Sequence, residues 1–129
     1  MSFDWKDYIK LSDKLYNEVN KAPIEEAYYR SLVSRGYYGV FCLLRIKADL
    51  EFYKPRPHTS DPGVHQKVIA YYKNSNKLEE KEAGNLLDKL RKMRNKADYD
   101  RNENIGKDLA ERARLKVNHV LRRIFGEKL

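Results

Sequence analysis

Residues 24–53, IEEAYYRSLVSRGYYGVFCLLRIKADLEFY, decide the fold. Apolar side chains recur through them at Ala27, Tyr28, Leu32, Tyr37, Tyr38, Phe41, Leu44, Ile46, Leu50 and Tyr53, with only Gly36 and Gly39 as breakers. That spacing predicts a single helix over the whole stretch, about 45 Å long. Pro23 suits its first turn, and Glu25 and Glu26 follow where the positive end of the helix dipole favours carboxylates. The middle of the helix is apolar on nearly every side, so other elements must cover it. A glycine inside a helix costs about 1 kcal/mol, so Gly36 and Gly39 mark a place where a neighbouring backbone or a partner comes close.

Working outward, Trp5, Tyr8, Ile9, Leu15, Tyr16 and Val19 fall on one stripe behind a candidate N-cap at Asp4, which gives a first helix. Residues 54–63, KPRPHTSDPG, hold three of the four prolines and read as a loop. Asp61 and Pro62 then offer a cap and a first-turn proline to a short helix carrying Val64, Val68, Ile69 and Tyr72, which Asn74-Ser75-Asn76 stops. A fourth helix carries Leu78, Ala83, Leu86, Leu87, Leu90, Met93 and Ala97. The fifth carries Ile105, Leu109, Ala113, Val117, Val120, Leu121 and Ile124. No run alternates with period two, so the expected class is all-α, an up-and-down bundle of four or five helices.

The chain has 129 residues, 41% of them hydrophobic, which fits one domain over 1–129 with its core at about 4–125. Net charge is +8 and lies late: residues 1–90 hold 15 Lys/Arg against 13 Asp/Glu, while residues 91–129 hold 12 against 6. Such asymmetry favours a polyanionic partner, nucleic acid above all. The single cysteine, Cys42, sits in the apolar run YYGVFCLL and reads as a small buried hydrophobe in a reducing compartment. The first ten residues, MSFDWKDYIK, are charged from the fourth and do not resemble a signal peptide. With no segment near the ~20 apolar residues of a membrane span, a cytoplasmic protein without membrane contact is expected.

No H-E-x-x-H, paired C-x-x-C or glycine-rich phosphate loop is present, so neither a metal nor another cofactor is expected. What stands out is polar matter where the apolar pattern predicts burial. Arg35 lies within the long helix, and Arg94 with Asn95 lies beside the core positions Met93 and Ala97. A buried arginine needs a partner. For Arg94 the plain reading is an ion pair with Asp98 one turn on. The functional reading has Arg94 and Asn95 presenting donors to a phosphate, with Arg35, Arg91, Lys92 and Lys96 enlarging the positive field.

Three stretches carry a resemblance: Ser34-Arg35-Gly36-Tyr37-Tyr38-Gly39-Val40-Phe41, Gly63-Val64-His65-Gln66-Lys67-Val68-Ile69, and Arg94-Asn95-Lys96-Ala97-Asp98-Tyr99-Asp100. In this order they are similar to motifs of the small standalone proteins of the HEPN (higher eukaryote and prokaryote nucleotide-binding) superfamily. The resemblance implies a helical bundle, a homodimer whose arginine motifs share a cleft, and binding of RNA or a nucleotide. It also implies a toxin–antitoxin or defence setting with a minimal nucleotidyltransferase antitoxin as partner. Many members are metal-independent ribonucleases that use an arginine, a polar residue after it, and a histidine five to seven positions beyond the arginine. Here those three positions hold Tyr99, Asp100 and Arg101.

Cleavage of RNA without metal needs proton-transfer groups with a pKa near neutrality, and a tyrosine titrating at about 10 is a poor base at neutral pH. The catalytic set implied by the resemblance is therefore Arg94, Asn95 and Tyr99, with His65 the remaining histidine in a matched segment. Tyr99 is also the position at which a partner nucleotidyltransferase would attach adenylate. The first expectation is an RNA- or nucleotide-binding protein whose ribonuclease motif lacks its histidine. An active ribonuclease toxin and a non-catalytic helical adaptor are the alternatives.

Overall fold

The computed structural model describes residues 2–21 and 23–127. Five helices, α1 (Lys6–Glu18), α2 (Glu25–Lys47), α3 (Val64–Lys73), α4 (Leu78–Tyr99) and α5 (Lys107–Phe125), form an all-α bundle, with a 3-10 turn over Val19–Lys21. There is no strand among the described residues. Helix α2 is the spine: it packs against α1, α4 and α5, while α3 lies mainly on α4. Its Leu32, Tyr37, Val40 and Leu44 are fully buried, together with Leu87 and Leu90 of α4 and Val120 of α5. None of the described helices is long and apolar enough to cross a membrane.

The two spine glycines do what their energetic cost implied. A Cβ on Gly39 would stand 2.6 Å from Ile9 Cγ1 and 3.1 Å from the Trp5 carbonyl, and one on Gly36 would stand 3.3 Å from Ser12 Oγ. Helix α1 therefore crosses α2 at these two residues. The buried Ser12 hydroxyl donates to the Leu32 carbonyl at 2.7 Å, which satisfies the one polar side chain at the crossing. Ahead of α1, Asp4 Oδ1 accepts the Lys6 N–H at 3.0 Å, but the N-cap position falls on Trp5, one residue later than the sequence indicated.

Four further boundaries differ from the sequence reading. Helix α2 ends at Lys47, six residues before Tyr53, because Asp49 takes a left-handed conformation with φ 58°. The Leu50 N–H then reaches back to the Arg45 carbonyl and the Asp49 N–H to the Ile46 carbonyl, both at 3.0 Å. This is a Schellman stop with aspartate in the place usually taken by glycine. Arg45 locks it, donating to the carbonyls of Leu50 and Tyr53 at 2.9 and 3.3 Å.

Asp61 and Pro62 do not open α3, whose N-cap is Gly63. The Asp61 carboxylate is taken by Arg56, which donates to it from its backbone N–H and from Nε, both at 3.0 Å, while the Tyr53 hydroxyl holds the Pro62 carbonyl at 2.7 Å. Pro23 stands outside α2, before the cap residue Ile24. Ile105, placed by its spacing on α5, is instead a buried residue of the connecting loop, one residue before the Gly106 cap.

Helices α3 and α4 make the closest backbone approach. A Cβ on Gly84 would lie 2.6 Å from the Lys73 amide nitrogen and 3.0 Å from its Cγ. Backbone cannot yield as a flexible side chain does, so Gly84→Ala should lower unfolding free energy by about 1–3 kcal/mol even though alanine favours helix. Urea denaturation of the variant checks this. Stability equal to wild type would mean that α3 can slide away from α4.

Candidate functional site

The last turns of α4 are fixed from across the bundle by Arg30, on the second turn of α2. Its Nη1 donates to the carbonyls of Lys96 and Ala97 at 3.2 and 2.9 Å, and its Nη2 to those of Asp100 and Glu103 at 2.9 and 2.6 Å. Its Nε bonds Glu26 at 2.8 Å, one turn back on the same helix. The final carbonyls of a helix have no partner within it and carry the negative end of its dipole, so a guanidinium placed there satisfies both. The sequence reading missed this clamp; the spacing of Glu26 and Arg30 was its only local trace.

Inside that clamped end lies Arg94, 5% exposed. Its guanidinium carbon is 5.1 Å from the ring centres of both Tyr37 and Tyr38 and 5.8 Å from that of Tyr99. The expected ion pair with Asp98 is present but long, with Nη1 to Oδ2 at 3.8 Å. The same carboxylate oxygen accepts the Ser34 hydroxyl at 3.2 Å. The buried Nε atoms of Arg94 and Arg91 have no hydrogen-bond partner among the described residues. Tyrosine faces thus supply much of the compensation for this charge, and each cation–π contact contributes roughly 0.5–2 kcal/mol.

Tyr37 connects this arginine to His65. Its ring is wholly buried and its hydroxyl is 2.6 Å from His65 Nδ1. Burial raises the Tyr37 hydroxyl pKa well above its usual value, against the opposing charges of Arg94 and Arg91. Burial also pushes the His65 ring down to about 4, aided by the charges of Arg91, Arg94 and Arg45. Both groups are therefore neutral at pH 7. The two neutral groups share one hydrogen bond, in which either the hydroxyl or the ring nitrogen can be the donor according to the tautomer of His65. His65 is half-buried and lies flat on Phe41, ring centres 4.2 Å apart.

The remaining sequence candidates divide between surfaces. Arg35, expected within the buried spine, is exposed and covers the Tyr8 ring at 5.2 Å; it faces outward beside α1, where an aromatic face replaces the carboxylate partner. Arg94 and Asn95, expected to meet one phosphate together, point apart: neighbours on a helix face different directions, and Asn95 is exposed. Lys92, Asn95, Lys96 and Tyr99 are all exposed and recur at helical spacing along one stripe of α4, with Tyr99 74% exposed at its end. Lys92 is 3.8 Å from Asp88, which Lys73 also holds at 2.8 Å. Arg91 is half-buried behind the stripe. Cys42 is half-buried rather than fully buried, and its thiol is pushed up to about 11 by burial, so it stays protonated. Of the other histidines, His119 approaches Glu82 at 3.5 Å, and His58 sits in the proline-rich loop with φ 59°.

No family model, curated protein or solved structure matches the chain.

The His65 environment sets a pH dependence. The folded ring takes a proton near pH 4 and the unfolded one near its ordinary 6.5, so the unfolded state binds more protons in between. The contribution of His65 to stability is whole above the unfolded value and is lost as pH falls through this interval. A magnetic resonance titration should place the ring's midpoint near 4. Chemical denaturation should show a steeper loss from pH 7 toward pH 4 in wild type than in His65→Gln. A midpoint at the ordinary histidine value would mean that the ring is not buried beside the arginines of α4 and α2.

Proposed function

We propose that the protein binds RNA or a nucleotide through the exposed stripe of α4, as a HEPN-type bundle that has kept binding and lacks the means of cleavage. The observation that carries this reading is the stripe itself: Lys92, Asn95, Lys96 and Tyr99 exposed on one face, with the Asp88 carboxylate at its start drawn to Lys73, on a helix whose end is clamped by Arg30. Lysines track phosphates, an amide reads polar edges, and an exposed tyrosine ring offers a stacking face to a base. Arg94 works beneath this surface. Its guanidinium lies against the Tyr99 ring and orients it, while the buried charge adds to the positive field.

The proton-transfer chemistry favours binding over cleavage. A general base or acid works best with a pKa near the operating pH, and His65 and Tyr37 are displaced from neutrality in opposite directions. On this reading the chain pairs with a second copy, and its partner is a nucleotidyltransferase for which the exposed Tyr99 is the acceptor of adenylate. Light scattering should then give twice the 15.3 kDa chain mass.

Binding of a labelled single-stranded RNA across a salt series tests the site. Lys92→Ala with Lys96→Ala should weaken binding and lower the slope of log affinity against log salt by about 1.4, roughly 0.7 for each phosphate that is no longer neutralised. Tyr99→Ala should weaken it about tenfold, the effect of one base–aromatic stack. All three side chains are exposed, so both variants should fold. Affinity unchanged in both would place the binding surface elsewhere.

A further inference from the structure

Beyond the α4 stripe lies a groove that shares none of its residues. It is an open cleft of about 600 Å³ between the start of α1, the middle of α2 and the first turn of α3, walled by Trp5, Tyr8, Tyr38, Phe41 and His65. Small-molecule sites commonly measure about 300–1,000 Å³ and combine aromatic walls with a few fixed polar groups. Here the charged groups are all of one sign among the described residues. Arg35 and Arg45, ten residues apart on α2, both line the groove, and no carboxylate does. Neither arginine takes part in an ion pair among the described residues.

The two arginines differ in availability. Arg45 is fixed by the carbonyls of Leu50 and Tyr53, which leave its charge in place. Arg35 rests only on the Tyr8 face and keeps its fork of donors for a ligand. His65 adds an uncharged ring whose Nδ1 is already engaged by Tyr37. Cys42, also in the lining, stays an uncharged thiol. The groove thus offers aromatic faces, positive charge and hydrogen-bond donors, with no negative group.

From this complementarity we infer that the groove binds a small planar aromatic molecule carrying one phosphate or carboxylate, its ring between Tyr8, Tyr38 and Phe41 and its anionic group on Arg35. The site is independent of RNA binding at α4: none of Lys92, Asn95, Lys96 or Tyr99 lines it, and Arg94 lies behind Tyr38.

Isothermal titration calorimetry with 1-naphthyl phosphate and with 1-naphthoate tests the inference and tells the two head groups apart. At least one should bind with one molecule per chain. The neutral 1-naphthol and inorganic phosphate should each bind about tenfold more weakly, since each lacks one half of the recognition. Arg35→Glu, an exposed substitution, should weaken the aromatic anion about tenfold or more, while Lys92→Ala with Lys96→Ala should leave it unchanged. Absence of binding by both aromatic anions at millimolar concentration overturns the inference. Equal affinity for 1-naphthol, or for the Arg35→Glu protein, overturns it as well. Because the lysine variant is tested in parallel, failure of the groove is told apart from failure of the α4 surface.

Discussion

The structure depends on one requirement: the middle of α2 is apolar on nearly all sides and has to be sheltered on each of them. Three helices are needed, and they approach differently. At Gly39 the Trp5 carbonyl comes within reach of the α2 backbone and at Gly36 the Ser12 side chain of α1 does, while Leu87 and Leu90 of α4 and Val120 of α5 share one core with Leu32, Tyr37 and Leu44. Burial on this scale supplies the main favourable term in folding, at roughly 25 cal/mol per Å² of apolar surface removed from water. The polar features of the site are laid over that arrangement. Arg30, Arg35, Arg45 and the tyrosine pair Tyr37–Tyr38 all belong to α2, so the sheltered helix also clamps α4, seats Arg94 and supplies both arginines of the groove.

Arg94 shows how a cation is kept inside such a core. A carboxylate at hydrogen-bond distance would be the usual solution, yet Asp98 is 3.8 Å away and is shared with the Ser34 hydroxyl. Three tyrosine rings take its place. Aromatic faces stabilise a guanidinium without drawing it into a fixed salt bridge, so the charge remains felt at the surface above. The same positive charges, with burial, keep His65 neutral, which ties the proton state of one helix to the arginines of another.

Much of the fold was legible because it rests on period and on glycine. The apolar spacing located all five helices, and the two spine glycines announced the crossing of α1. Two of the missed boundaries turn on local detail that apolar spacing does not carry: an unusual backbone conformation at one and a competing side chain at the other. Asp49 ends α2 in the left-handed region, for which aspartate is a weaker signal than glycine. Asp61 looked like a cap, but Arg56 claims its carboxylate first. The α4 residues of the candidate site were legible as a cationic cluster, whereas their division into a buried arginine and an exposed stripe depends on rotation about the helix axis. Arg35 was misjudged because an aromatic neighbour on α1 can hold an arginine at the surface of an otherwise buried helix. The Arg30 clamp joins residues up to 73 positions apart, and no local pattern announces contacts at that range.

Gly84 has a meaning beyond packing density. With α3 backbone seated directly on α4 backbone, the two helices meet without a side chain of α4 between them at that point and form one frame. One arm of the frame carries Val64 and His65, which form a wall of the groove; the other carries Lys92 through Tyr99. The frame thus joins a wall of the groove to the helix that bears the lysine stripe. The two surfaces have separate chemistry and a common mechanical mounting.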